Sequence, residues 1–179
     1  HKHMHKLGNW ALQLNGKPQA EIAVLLDDES YFYTTLQNSL SLPGVFYQRV
    51  FNLPRIGAPH DVYVLRDLLE GKLPAYKLYI FLNAFRLTQA QRQALAAQIR
   101  RDGRTALWLY APGYICDDAT SPAAPLHEDH MTELTGLRFG RADNPWSVHM
   151  HVTNVQHQIT KDIPQDLFWG TTRSLAPIF

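Results

Sequence analysis

Glu21-Ile22-Ala23-Val24-Leu25-Leu26-Asp27-Asp28-Glu29 decides the architecture. The run from Ile22 to Leu26 is apolar without alternation, so neither face of the segment suits water. Such a run reads as a parallel strand buried on both sides, and the three carboxylates that close it mark the end where the chain returns to solvent. Ser30 to Leu42 predicts a helix after this strand, stopped by Pro43-Gly44.

The same signature recurs downstream. His60-Asp61-Val62-Tyr63-Val64-Leu65 is rich in β-branched and aromatic residues, and Arg66 to Gly71 predicts one helical turn closed by glycine. Lys77 to Leu82 is a further buried strand, and Thr88 caps a helix running to Arg101. In that helix Leu95 and Ile99 face the core, while Gln91, Arg92, Gln98 and Arg101 are expected to face water. Thr105 to Tyr110 is the next strand, broken by Ala111-Pro112-Gly113. Asp117 to Pro125 reads as a loop, Leu126 to Thr135 as a short helix ended by Gly136, and Ser147 to Asn154 as a strand at the sheet's edge. Strand, helix, strand repeated in this way demands parallel pairing, hence an α/β fold with a flavodoxin-like sheet and flanking helices.

The 179 residues, 45% hydrophobic and 18% charged, suffice for one core, so residues 21–179 are expected to form a single α/β domain. Residues 1–20 read as an N-terminal arm, tag-derived or disordered, because His1, His3 and His5 have nothing to hold them in ligand geometry. Seventeen basic and sixteen acidic residues leave a net charge of +1 with no clustered basic surface, so neither nucleic acid nor an anionic membrane is an expected partner. A single cysteine, Cys116, excludes an internal disulfide and suits a reducing, cytoplasmic location.

In an open parallel sheet, ligands gather at the carboxyl ends of the strands. That rule selects Asp27, Asp28, Glu29, Asn83, Phe85, Ala111, Gly113, Tyr114 and Cys116. Asp27, Asp28 and Glu29, with Asp117 or Glu128 from facing loops, are candidate catalytic carboxylates, since glycoside cleavage needs two carboxyl groups roughly 5 to 9 Å apart. Capping and loop solvation explain Asp27 and Asp28 as well, and the pattern favours that role. Cys116 follows a strand and a glycine, as an amidotransferase nucleophile does, with His127 or His130 as base. Against this, Asp117-Asp118 oppose thiolate formation. Tyr31, Tyr33 and Tyr114 can stack on sugar rings beside Asn83, Phe85 and Gly113, whereas Trp108 belongs to the core. Neither His127–His130 nor His149-Met150-His151 with His157 makes a complete ligand set, so no metal is expected. No glycine-rich nucleotide loop or Gly-x-Ser-x-Gly occurs, and no cofactor is expected.

Ile22 to Glu29, His60-Asp-Val-Tyr-Val-Leu-Arg-Asp-Leu-Leu-Glu-Gly-Lys-Leu-Pro74, Tyr76 to Phe85, Arg101 to Ile115 and Met131 to Phe139 together resemble the region after the catalytic barrel in large bacterial beta-galactosidase-like glycoside hydrolases. The resemblance covers most of the chain and is to the beta-galactosidase trimerisation domain. It implies a class I glutamine amidotransferase-like fold, one that generally lacks that fold's cysteine, histidine and glutamate triad. Because the glycosidase carboxylates belong to the barrel, it carries no catalytic residue over. It implies an accessory or assembly role in carbohydrate metabolism, with a homo-oligomer or a glycosidase barrel as partner and carbohydrate as a possible ligand. Such proteins continue through further strands where this chain reaches Pro177-Ile178-Phe179, so a C-terminal truncation is expected. A self-sufficient small glycosidase using the strand-end carboxylates is the alternative, and a cysteine hydrolase centred on Cys116 the third.

Overall fold

The computed structural model describes residues 2–14, 19–34, 42–117 and 125–179. Four short strands, β1 (Ile22–Leu26), β2 (His60–Val64), β3 (Leu78–Phe81) and β4 (Thr105–Trp108), form a parallel sheet in the order β2-β1-β3-β4. This is the order of a flavodoxin-like doubly wound sheet, and the fold class is α/β. β1 lies at its centre. Ile22 sits opposite His60 on one side and Leu78 on the other, which explains why its sequence is apolar throughout.

Alternation along the central strands separates two cores. Ala23, Leu25, Tyr79 and Phe81 point to one face, where they meet Leu65 and Leu68 of α2 (Leu65–Leu69), Leu95 and Ile99 of α3 (Gln89–Ile99), and Leu134 of α4 (Glu128–Thr135). Trp108 stacks on Phe81 with ring centroids 3.8 Å apart, so it belongs to this core as its strand position predicts. Val24, Ile80 and Leu82 point to the other face and meet Val45 and Leu53. That second cover is narrower: Val62 and Val64 on β2 and Leu107 on β4 remain exposed at the two edges.

Several expectations are corrected. Of the helix predicted over Ser30–Leu42, the described part is one 3-10 turn over Glu29–Tyr33, and residues 35–41 lie outside the described residues. Pro43-Gly44, read as a helix stop, falls in the first turn of a π-helix over Leu42–Asn52, where proline lacks only an N–H that has no intrahelical acceptor. Arg92, expected in water, is 1% exposed, because Glu133 of α4 and the Leu87 carbonyl receive its guanidinium at 2.8 and 2.9 Å. The strand read at Ser147–Asn154 is β5 (Trp146–His151), and it does not extend the main sheet. It pairs antiparallel with β6 (Phe168–Leu175), a strand the sequence reading missed. The loop read over Asp117–Pro125 lies largely outside the described residues, which omit 118–124. Within the N-terminal arm read over residues 1–20, Lys2–Gln13 form a helix, α1, none of whose residues is buried.

Two capping devices match expectation. Thr88 and Gln91 form a reciprocal capping box at the start of α3, and Gly136 closes α4 in the left-handed conformation. Gly113 has the same backbone requirement at φ +68°, and its amide donates to the Ala84 carbonyl at 2.8 Å. A methyl group there would also lie 3.1 Å from Cδ of the buried Arg92, whereas Gly71, at φ +70°, faces open space. Gly113→Ala should therefore destabilise the fold by about 1–2 kcal/mol from backbone strain plus a packing cost. Gly71→Ala should show the strain alone. Urea unfolding of the two variants side by side checks the difference.

Candidate functional site

The carboxyl ends of β1 and β3 are joined by a buried polar network. Asn83 Oδ1 accepts from the Asp27 amide at 2.8 Å, and its Nδ2 donates to the Asp27 carbonyl at 2.6 Å. Asp27 Oδ2 accepts from the Ser30 amide at 3.1 Å and from the Ser30 hydroxyl. Ser30 Oγ in turn accepts from the amides of Phe85 and Arg86 at 3.1 and 2.9 Å. Asp27, Ser30 and Asn83 are all buried; the Asn83 bonds and the two amides that Ser30 accepts cross between the strand ends, while the Asp27–Ser30 bonds brace the turn after β1. Burial is the main influence on Asp27 and pushes its carboxyl above the ordinary value of 3.8; the Ser30 hydrogen bonds pull the other way.

Outside this network lies a second, partly exposed cluster centred on Arg86. Its Nη1 donates to Glu29 Oε2 at 2.7 Å, while Nε and Nη2 reach Asp117 Oδ1 at 2.9 and 2.6 Å. The guanidinium carbon lies 5.5 Å from the centroid of the Tyr33 ring, and the Tyr33 hydroxyl donates to the other Asp117 oxygen. These contacts hold the Asp117 carboxyl below its ordinary value, the Tyr33 hydroxyl contributing most and Arg86 next. The same hydrogen bond raises Tyr33. The arrangement sets a tyrosine ring against an arginine ion-paired on both sides.

The structure thus brings Glu29, Tyr33 and Asp117 together around Arg86, a residue the sequence reading did not nominate. Ser30 was also missed. The only signal for either was position: Ser30 follows the acidic end of β1 and Arg86 the Asn83 turn after β3. Asp28 points elsewhere, to Arg66 at 3.3 Å, and is exposed. Glu128 lies 3.9 Å from Arg141, which bonds the Tyr114 hydroxyl at 2.8 Å, and so belongs to another group.

Other nominees turn inward. Asn83 serves the Asp27 backbone, and Phe85, Gly113 and Tyr114 are buried. Tyr114 packs against Phe179 with centroids 4.7 Å apart, so its ring already has an aromatic neighbour. Tyr31 remains open to solvent beside Tyr33. The Cys116 thiol is 1% exposed, and its amide bonds the Pro125 carbonyl. Tyr110, directly after β4, is left-handed at φ +69°, and its hydroxyl donates to the Pro177 carbonyl at 2.5 Å. His127 caps α4 by accepting from the Asp129 amide, and buried His130 lies 3.3 Å from the Tyr114 carbonyl. Among the described residues, no three histidine, cysteine or acidic side chains converge as a metal site would require, and no helix is long and apolar enough to cross a membrane.

No family model and no curated protein matches the chain. Among solved structures it is similar to a beta-galactosidase from Bifidobacterium adolescentis, at 21% identity over 66% of this chain and 55% of that one, with a TM-score of 0.46. It is also similar to a ThuA-like protein from Bacteroides uniformis, at 18% identity over 90% of this chain and 62% of that one, with a TM-score of 0.49. The chain therefore spans little more than half the length of either.

The raised Asp27 carboxyl has a defined pH signature. Between 3.8 and its higher folded value, the native state binds more protons at Asp27 than the unfolded chain does, so this residue's contribution to stability falls as pH rises through that window. Unfolding free energies of the wild type and Asp27→Asn, measured by denaturant titration at intervals from acid to neutral pH, should diverge in that direction. A difference that does not vary with pH would refute the assignment.

Proposed function

We propose that the chain is an accessory or assembly module associated with beta-galactosidase-type glycoside hydrolases, without a complete catalytic set of its own. The observation that carries this reading is the state of the carboxylates at the sheet's edge. Asp27 is buried and bonded by Ser30, while Glu29 and Asp117 are gripped by one arginine. A glycosidase pair needs one carboxyl group free to give a proton and a second free to attack or to activate water. Here the fold uses both kinds of group to fix strand ends. The link to glycoside hydrolases rests on the residue resemblance of segments 22–29, 60–74, 76–85, 101–115 and 131–139.

Exposed apolar surface supports assembly. Phe46, Tyr47 and Phe51 pack their rings against one another on the π-helix, where an i to i+5 hydrogen-bond pattern lets Phe46 and Phe51 meet, yet all three stay exposed. Phe32 is 88% exposed, and Val62, Val64 and Leu107 leave apolar edges on the same sheet face that the π-helix covers. Apolar surface of this kind marks contact sites in soluble proteins. The occupant is a second copy of the chain or a glycosidase barrel.

The purified chain should not turn over nitrophenyl galactosides. Turnover abolished by Asp28→Asn or Glu29→Gln would establish a self-sufficient glycosidase instead, and turnover abolished by Cys116→Ala a thiol hydrolase. In parallel, light scattering should show mass rising with concentration, and Phe46→Ser with Phe51→Ser should return the chain to monomer. A monomer at every concentration, with no binding to a barrel-bearing beta-galactosidase, overturns the assembly reading.

A further inference from the structure

A cavity of about 410 Å³ opens at the other end of the sheet, among the segments that lead into β3 and β4. Leu73, Pro74 and Ala75 supply its accessible apolar lining, and Gln98, Arg101 and Arg104 its polar side chains. Its volume falls within the range of small-molecule sites, and its lining is mainly polar with a smaller apolar part.

The two arginines differ in a way that suits ligand capture. Arg104 is fixed: its side chain is 11% exposed, its Nη1 donates to the Gln98 carbonyl at 3.0 Å, and its guanidinium carbon lies 5.8 Å from the Tyr79 ring centroid. That bond also satisfies a carbonyl at the end of α3, removing part of the negative charge a helix C-terminus would present to an anion. Arg101 stands at the rim, 56% exposed. One oxygen of Asp102 faces both guanidinium groups, at 3.3 Å from Arg104 and 3.8 Å from Arg101. Both distances are longer than a charge-assisted hydrogen bond of about 2.7–2.9 Å, so neither pair is saturated. Two positive charges against one negative leave a surplus of one at the cavity.

We propose that this cavity binds a small organic monocarboxylate, its apolar body against Leu73, Pro74 and Ala75 and its carboxylate between Arg101 and Arg104. A single surplus charge matches a monoanion, and the planar guanidinium groups match a carboxylate's two oxygens. None of these residues belongs to the Arg86 cluster, so the proposal stands apart from the assembly reading.

Benzoate, isosteric neutral benzamide and inorganic phosphate are suitable probes in amide NMR titrations of the intact chain. Benzoate should give saturable shifts at Gly71, Arg101 and Arg104, with benzamide and phosphate weaker. Arg101→Gln, an exposed change that spares the core, should weaken benzoate binding roughly tenfold, the value of one hydrogen bond to a charged group. Arg104→Gln should abolish it. Equal response to benzamide overturns the anion assignment, and equal response to phosphate overturns the carboxylate assignment. Shifts that never saturate, or that survive Arg101→Gln unchanged, overturn the site itself.

Discussion

The hydroxyl of Ser30 accepts two amide hydrogens from the turn after β3 and gives its own proton to Asp27 at the end of β1. Around that one oxygen the carboxyl edge of the sheet is organised. Parallel strands have no hairpin to align their ends, so their register needs a side-chain device, and here Asn83 and Ser30 supply it from two directions. With the strand ends locked, the chain after β3 must leave in a direction that carries Arg86 toward Glu29, Tyr33 and Asp117. Desolvating Asp27 is a cost of this arrangement, offset by the hydrogen bonds it receives.

The same edge explains why carboxylates concentrated at a strand end are a poor guide to catalysis. A buried parallel strand ends abruptly, and its last amides and carbonyls need partners where the neighbouring strand has turned away. Short acidic side chains meet that need locally. Asp27 does so through Ser30, and Glu29 and Asp117 do so at longer range by neutralising an arginine whose backbone is already part of the lock. Chemistry at such an edge would require a carboxyl group left over once these demands are met.

The sheet was legible in the sequence because its signal is local. Ile22–Leu26 and Leu78–Phe81 carry unbroken apolar runs, and Thr88 announces α3 at its first turn. What escaped depends on distant partners. Arg92 looks solvent-facing by helical period, and only the arrival of Glu133 on α4 makes its burial tolerable. The β5–β6 hairpin escaped because its first strand alternates like any edge strand, and its partner begins seventeen residues after it ends. Arg86 escaped because nothing within ten residues contains either of its carboxylate partners. Of the site, the place was readable and the wiring was not.

Tyr110 holds a left-handed backbone that a residue with a Cβ adopts only under constraint, and its hydroxyl is tied to Pro177, 67 residues further along the chain. The shape of a turn in the middle of the chain thus depends on a contact made from far along it: Pro177 and Phe179, packed on Tyr110, offset a backbone strain that local sequence alone would release.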